Sequence, residues 1–264
     1  MNSNIRPLKK FSQNFLVNPH FKQKIVDALK ISEEDVVVEI GPGLGALTQL
    51  VVDLNPAEYY VIEIDERLVT DLKNQFGERI KLINRDILEI DFKTLGTKLK
   101  ILGNLPYHIT SPIIFKLIDQ FEYIDQAVIM IQKEVAKRIT AQIRHKDYGI
   151  LSVVSQAYAH IEYLVEVGRG NFYPVPDVDS AVVSYTFYRS LVGVEDELLF
   201  RKLIRGTFNY RRKMLRNSLG RIIDKSIVYS MPAQILEQRP EELSVEEFKT
   251  LANNINQFLR RGNA

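Results

Sequence analysis

The chain has 264 residues, 45% of them hydrophobic, a formal net charge of +2, and neither cysteine nor tryptophan. That length suits one large domain or a domain with a smaller appendage, and the apolar fraction excludes wholesale disorder. The missing cysteine excludes disulfides, thiolate nucleophiles and zinc–thiolate centres.

Further classes drop out on pattern. No apolar run reaches membrane-spanning length. Met1 to Lys10 lacks the apolar segment of a secretory signal. Four scattered histidines give no metal-ligand spacing. A cytoplasmic protein with no metal and no membrane partner is expected.

In chain order, a basic arm, Met1 to Val17, leads into Phe11-Ser12-Gln13-Asn14-Phe15-Leu16, which mixes aromatics with two amides. Asn18 followed by Pro19 predicts a capped helix start, continued by Phe21, Ile25, Val26 and Leu29 at helical spacing. Asp35 to Ile40 predicts a buried strand running into Gly41-Pro42-Gly43-Leu44-Gly45, with Leu47, Leu50 and Val51 opening a helix. Tyr59 to Ile62 is the second predicted strand, with Glu63 and Asp65 at its end. Asp65 is placed to cap the helix carrying Leu68, Val69 and Leu72. Ile80 to Ile83, ending near Asp86, and Leu99 to Leu102, ending at Asn104-Leu105-Pro106-Tyr107, are the third and fourth strands. Ala127 to Ile131 is the fifth, followed by a helix through Val135 and Ile139, and Tyr148 to Ala159 is a further helix.

Strands that alternate with helices, each almost continuously apolar, imply a parallel sheet covered on both faces. Ile161 to Val167 and Ala181 to Tyr188 leave no room for a crossover helix and predict a closing antiparallel pair. The loop between them, Asn171 to Ser180, is stiffened by Pro174 and Pro176. Beyond Leu191 only helices are predicted: Leu198–Phe208, Met214–Ile223, Ala233–Leu236 and Val245–Leu259, the last opened by a Ser244…Glu247 capping box. The expected organisation is an α/β Rossmann-like domain over residues 1–190 and a small C-terminal all-helical domain over 191–264.

Three features carry chemistry. Gly41, Gly43 and Ala46 fit the loose G-x-G-x-x-G/A pattern, with Glu63 where a ribose-binding acid would stand. NAD fits that pattern too. Glu39, beside the turn, would repel a pyrophosphate and suits a cationic ligand, which favours S-adenosylmethionine. Glu63, Asp86 and Asn104 each follow a strand, on the side where open α/β sheets bind ligands. Glu63 can take ribose hydroxyls and Asp86 an adenine amino group, although a turn-capping Asp86 is an equal reading. Asn104, which offers one carbonyl oxygen and one NH2 group, then lies nearest the reacting methyl. Tyr107 and Phe172 lie on proline-containing loops and could sandwich a flipped base; core packing is the alternative for Phe172. Arg201 to Lys225 carries nine Lys/Arg and one acid. Arg211, Arg212 and Lys213, close to Phe208 and Tyr210, suggest nucleic-acid contact, against the alternative of a solvated helix face.

Phe11–Leu16, Glu39-Ile-Gly-Pro-Gly-Leu-Gly45, Asn104-Leu-Pro-Tyr107 and Phe172-Tyr-Pro-Val-Pro-Asp-Val-Asp-Ser180 stand in the order and spacing of the ribosomal RNA adenine dimethyltransferases. The chain resembles the bacterial small-subunit branch of that family over nearly its whole length. Phe208 to Leu219 resembles that branch's helical domain and argues against the large-subunit resistance methylases. The resemblance implies a class I methyltransferase sheet of seven strands, the last pair antiparallel. It also implies S-adenosylmethionine-dependent dimethylation of two adjacent adenosines near the 3′ end of 16S rRNA, in the small subunit or its precursor, by a monomer with a role in subunit biogenesis. The cofactor contacts it implies are Asn14, Leu16, Gly41, Glu63, Asp86 and Asn104. Asn104, Leu105 and Tyr107 would hold the target adenine, with Phe172 on its other face. Ser12, His108 and Asp177 depart from the family pattern at positions that flank the functional ones.

Overall fold

The computed structural model describes residues 7–8 and 13–262; Phe11 and Ser12 of the first motif lie outside them. The chain divides into two compact units, one of residues 1–136 and 159–189, the other of residues 137–158 and 190–264.

The first unit is built on a seven-stranded sheet. Its strands are β2 (Val36–Ile40), β3 (Glu58–Glu63), β4 (Lys81–Asn84), β5 (Leu99–Asn104), β6 (Ile124–Gln132), β7 (Ala159–Val167) and β9 (Ser180–Phe187). The spatial order is β4-β3-β2-β5-β6-β9-β7. The first five are parallel, and β9 runs antiparallel to both neighbours, β6 and β7. The helices of this unit are α1 (Pro19–Ala28), α2 (Thr48–Val52), α3 (Glu66–Phe76) and α4 (Thr110–Asp119); α5 (Lys133–Thr140) carries the chain into the second unit.

Period-2 alternation explains why the strands are apolar on both faces. Val37, Val61, Leu102, Val128 and Met130 share one core with Ile25, Val26 and Leu29 of the first helical segment. The alternate residues Val38, Ile40, Ile62, Ile101 and Ile129 stand outside that cluster and are just as buried. Caps fix the helix starts. Asn18 accepts from the His20 N–H, with Pro19 first in the helix, and Asp65 accepts from the Arg67 N–H.

A second, two-stranded sheet was not expected. β1 (Phe15–Leu16) pairs antiparallel with β8 (Phe172–Tyr173), in the register Phe15↔Tyr173 and Leu16↔Phe172. The Val17 N–H donates to the Asn171 carbonyl (2.9 Å) and the Asn18 amide to the Asn171 side chain (2.7 Å). Two motifs about 160 residues apart in sequence are thereby one structural piece.

The second unit contains α6 (Ile150–Tyr158), α7 (Glu197–Phe208), α8 (Leu215–Leu219), α9 (Lys225–Tyr229), α10 (Ala233–Leu236) and α11 (Val245–Gly262). Tyr148 donates to the Leu243 carbonyl (2.9 Å), and α6 packs on α7 and α11. This differs from a division at residues 190–191: Lys137–Tyr158 belongs with the helical unit, because its apolar face finds partners there. The Ser244–Glu247 capping box is formed, with reciprocal bonds of 2.7 and 3.2 Å. The helix expected over Met214–Ile223 closes after five residues at Gly220. No helix among the described residues is long and apolar enough to cross a membrane.

Candidate active site

Parallel register brings the strand ends together. Ile40 stands opposite Ile62 and Gly103, and Glu63 opposite Asn84. The residues just beyond, Gly41, Glu63, Asp86 and Asn104, therefore converge on one edge. They line a cavity of about 240 Å³ together with Asn14, Leu16, Glu39, Leu105 and Tyr107. Of the nine residues expected at the cofactor and the reacting centre, only Phe172 is not in that wall.

The glycine turn sets the floor. Gly43 has φ +59°, and a Cβ there would lie 2.9 Å from the Phe15 ring. The left-handed backbone and the close approach of the N-terminal segment both require glycine. Gly103 is held for a different reason: a Cβ would meet the Ile40 carbonyl at 2.5 Å, across the β2–β5 pairing.

Three carboxylates have distinct settings. Glu39 is 1% exposed, and its Oε2 accepts from the Tyr59 hydroxyl and from the Thr48 hydroxyl at 2.7 Å. Burial pushes its pKa up to about 7, against the pull of those two donors. It is a buried acid bonded to neutral hydroxyls, in the wall of the cavity. Glu63 accepts from the N–H groups of Ile64 (2.9 Å) and Asp65 (3.0 Å), which aim its carboxylate; burial raises its pKa. Asp86 uses Oδ1 to accept from the Leu88 N–H (2.9 Å) and cap a short 3-10 turn. The turn-capping reading is thus realised, and Oδ2 has no hydrogen bond among the described residues.

Asn104 is oriented. Its Nδ2 donates to the Asn14 carbonyl at 2.8 Å, which fixes the amide and leaves Oδ1 as the group with acceptor capacity. Leu105, 1% exposed, is anchored by its N–H on the Met130 carbonyl (3.0 Å). The half-buried Tyr107 shares a 2.6 Å hydroxyl–hydroxyl bond with Ser180 at the start of β9, and burial raises its pKa. Ser180, the last residue of the Phe172–Ser180 motif, is therefore tied to the site.

Phe172 is 3% exposed and packed in the hydrophobic core. Its ring holds up the two-stranded sheet and has no free face, whereas the next residue, Tyr173, is 65% exposed. Gln13, Ile64 and Arg85, which carry no role in the sequence reading, also line the cavity, as does His108, one of the departures from the family pattern. Gln13 bridges the Leu8 N–H (2.8 Å) and Asp65 (2.9 Å). Only its place in the first motif could have flagged it.

The basic cluster lies in the helical unit and is not uniform. Arg211 is tied to Glu241 at 2.5 Å and donates to the His145 carbonyl at 3.2 Å. Arg212 and Lys213 are exposed. Among the described residues no group of three or more His, Asp or Glu is arranged to hold a metal ion.

Comparison with known proteins gives a consistent picture. The family model described as ribosomal RNA adenine dimethylase matches residues 4–257. The chain is 42% identical over 264 residues to a protein of Chlorobaculum tepidum named ribosomal RNA small subunit methyltransferase A, covering 99% of this chain and 94% of the relative. It is 37% identical over 262 residues to the protein of that name from Geobacter metallireducens, covering 94% and 95%. Among solved structures, a dimethyladenosine transferase from Plasmodium falciparum superposes with a TM-score of 0.80 at 26% identity, over 94% of this chain and 98% of that one. The 23S rRNA methyltransferase ErmE shares the fold, with a TM-score of 0.69 at 23% identity over 92% and 100%.

Proposed function

The chain belongs to the ribosomal RNA adenine dimethylase family and is an S-adenosylmethionine-dependent rRNA adenine dimethyltransferase; from that premise we propose that it converts two adjacent adenosines near the 3′ end of 16S rRNA to dimethyladenosine. In this reading it acts as a cytoplasmic monomer on the small subunit or its precursor. The observation that carries it is the fixed amide of Asn104 in a cavity lined by carboxylates. Relatives named for the small subunit and similar over almost their full length support the choice of RNA.

The residues present fit the cofactor. Glu39 is a buried acid whose bonded partners are hydroxyls, which suits a ligand bearing positive charge. Glu63, aimed by two backbone N–H groups, suits the ribose hydroxyls, and Asp86 Oδ2 an adenine amino group. Gly41 brings backbone close, and Asn14 and Leu16 close the wall from the N-terminal side. When bound, S-adenosylmethionine supplies an electrophilic methyl on a sulfonium.

The chain's own task is to position a weak nucleophile. The adenine amino nitrogen has its lone pair delocalised into the ring. Asn104 Oδ1 accepts one of its N–H bonds and the Leu105 carbonyl the other, which localises the lone pair and aims it. The Tyr107 ring, held by Ser180, supports one face of the base. Such positioning supplies much of the rate. Phe172 acts through the backbone as a positioning residue: its burial and its pairing with Leu16 steady the segment that carries Asn14. Arg212 and Lys213 are the exposed cations for RNA backbone contact, and Arg211 braces the loop through Glu241.

Primer extension across the 3′ end of the RNA, after reaction with unmethylated small subunits, tests the position. Two adjacent new stops are expected there. Stops elsewhere, or no new stop, would refute it.

A further inference from the structure

The helical unit holds a second cleft, of about 620 Å³. It is formed where α8 turns into α9. Buried Val228 anchors α9 from beneath, and Lys225 and Tyr229, four residues apart, share the helix face above it. Arg216 on α8 and Arg221 in the connecting turn complete the wall, with Lys213 and Tyr210 at its side. Among the described residues no carboxylate lines it.

Among the described residues none of these four cations is paired with an acid, in contrast to Arg211 beside them. The one acid of the stretch, Asp224, accepts from the Ser226 N–H (2.7 Å) and hydroxyl (2.6 Å) as the cap of α9. Four like charges around one concavity raise its potential and concentrate anions there. Arg221 lies over the Tyr210 ring at 4.9 Å. A guanidinium held by stacking presents its N–H fork in a fixed place, and that fork matches a phosphate. Tyr229 is 78% exposed and offers an open ring face. Cations that bind phosphate beside an aromatic face that binds a base define a site for unpaired RNA, because a duplex keeps its base faces stacked inside.

We propose that this cleft binds an unpaired segment of the RNA substrate, with phosphates on Arg216, Arg221 and Lys225 and a base stacked on Tyr229. The inference rests on the reading of the chain as an rRNA methyltransferase, to which it adds a base-stacking cleft beside the backbone contact assigned to Arg212 and Lys213.

The absence of tryptophan supplies the test. Tyr229→Trp in the full chain installs a single tryptophan, excited selectively over the tyrosines, to be titrated with a single-stranded hexa-adenylate, a G·C-rich hairpin duplex and inorganic tripolyphosphate. Saturable quenching by the single strand is expected, with weak quenching by the duplex and competition by tripolyphosphate without quenching. Adding Arg216→Glu and Arg221→Glu should weaken the single strand about tenfold or more, in line with the loss of two phosphate contacts. In an otherwise native chain, Tyr229→Ala with Arg216→Glu should raise the KM for unmethylated small subunits about fivefold or more. The kcat and the affinity for S-adenosylmethionine should stay near wild type. Binding without quenching, equal quenching by duplex, or an unchanged affinity after charge reversal would each overturn the proposal. The titration needs no turnover, so a chain that fails to methylate small subunits yet shows the quenching would refute the proposed substrate and leave the cleft standing.

Discussion

Replacing Asn104 by alanine removes two contacts at once. The first is the 2.8 Å bond from Nδ2 to the Asn14 carbonyl, which contributes about 1 kcal/mol to holding the N-terminal segment against the cavity. The second is the oriented Oδ1 acceptor. Loss of one preorganised group at a reacting centre costs about 2.7–4 kcal/mol, or roughly 10²–10³ in rate. The Leu105 carbonyl remains, so the expected outcome is a single-turnover rate about 10³ lower, with cofactor affinity only about fivefold weaker. Rapid-quench transfer from labelled S-adenosylmethionine measures the first, and calorimetric titration the second. Asn104→Asp sharpens the test. It keeps an acceptor for the amine but sets a carboxylate oxygen against the Asn14 carbonyl, so it should lose the anchor and fall between wild type and alanine. An alanine variant within about threefold of wild type, or one fully rescued by saturating cofactor, would refute the role of Asn104 in orienting the adenine amine.

Other perturbations probe the surroundings. Glu39 has a folded pKa of about 7, above the ordinary value of 4.5. The folded state then binds more protons than the unfolded one between those values, so this group's contribution to stability is full below about pH 4.5 and is lost as pH rises through 7. Glu39→Gln should therefore be more stable than wild type by about 3 kcal/mol at pH 8 and equal to it near pH 4.5, while binding S-adenosylmethionine more weakly. Urea titrations without cofactor at the two pH values would show this, and a pH-independent difference would contradict it. Gly103→Ala drives a Cβ to 2.5 Å from the Ile40 carbonyl; a loss of about 1–3 kcal/mol in unfolding free energy is expected, with cofactor binding impaired because β2 and β5 part at the site. Ser180→Ala and Tyr107→Phe should each slow transfer by a similar modest factor, and the double variant no further, since they break one bond; additive losses would argue against that shared bond. Arg212→Ala with Lys213→Ala should flatten the salt dependence of RNA binding, and an unchanged slope would remove both from the interface.

Local chemistry was legible in the sequence. The caps at Asn18, Asp65 and Ser244 are read from three or four residues, and each is formed. The apolar strands announce a parallel sheet, and parallel register then carries Gly41, Glu63, Asp86 and Asn104 to one edge without further assumptions. What was hidden depends on contacts between distant residues. A two-residue strand such as Phe15–Leu16 has no period to detect, and only its partner Phe172–Tyr173, far along the chain, makes it a strand. That pairing also decides that Phe172 faces the core and Tyr173 faces outward. Residues 137–158 read as an ordinary α/β crossover, and only the packing of α6 on α7 and α11 assigns them to the helical unit. Arg211 looks like its two neighbours until Glu241, thirty residues on, is found beside it.

The most direct measurement is methyl transfer from labelled S-adenosylmethionine to unmethylated small subunits, unmethylated large-subunit RNA and free adenosine, with the modified nucleoside identified by mass spectrometry. Dimethyladenosine confined to the small subunit is the expected result. Label in the large-subunit RNA alone, or none in any of the three while the cofactor still binds, would contradict small-subunit adenosine dimethylation as the function of this chain.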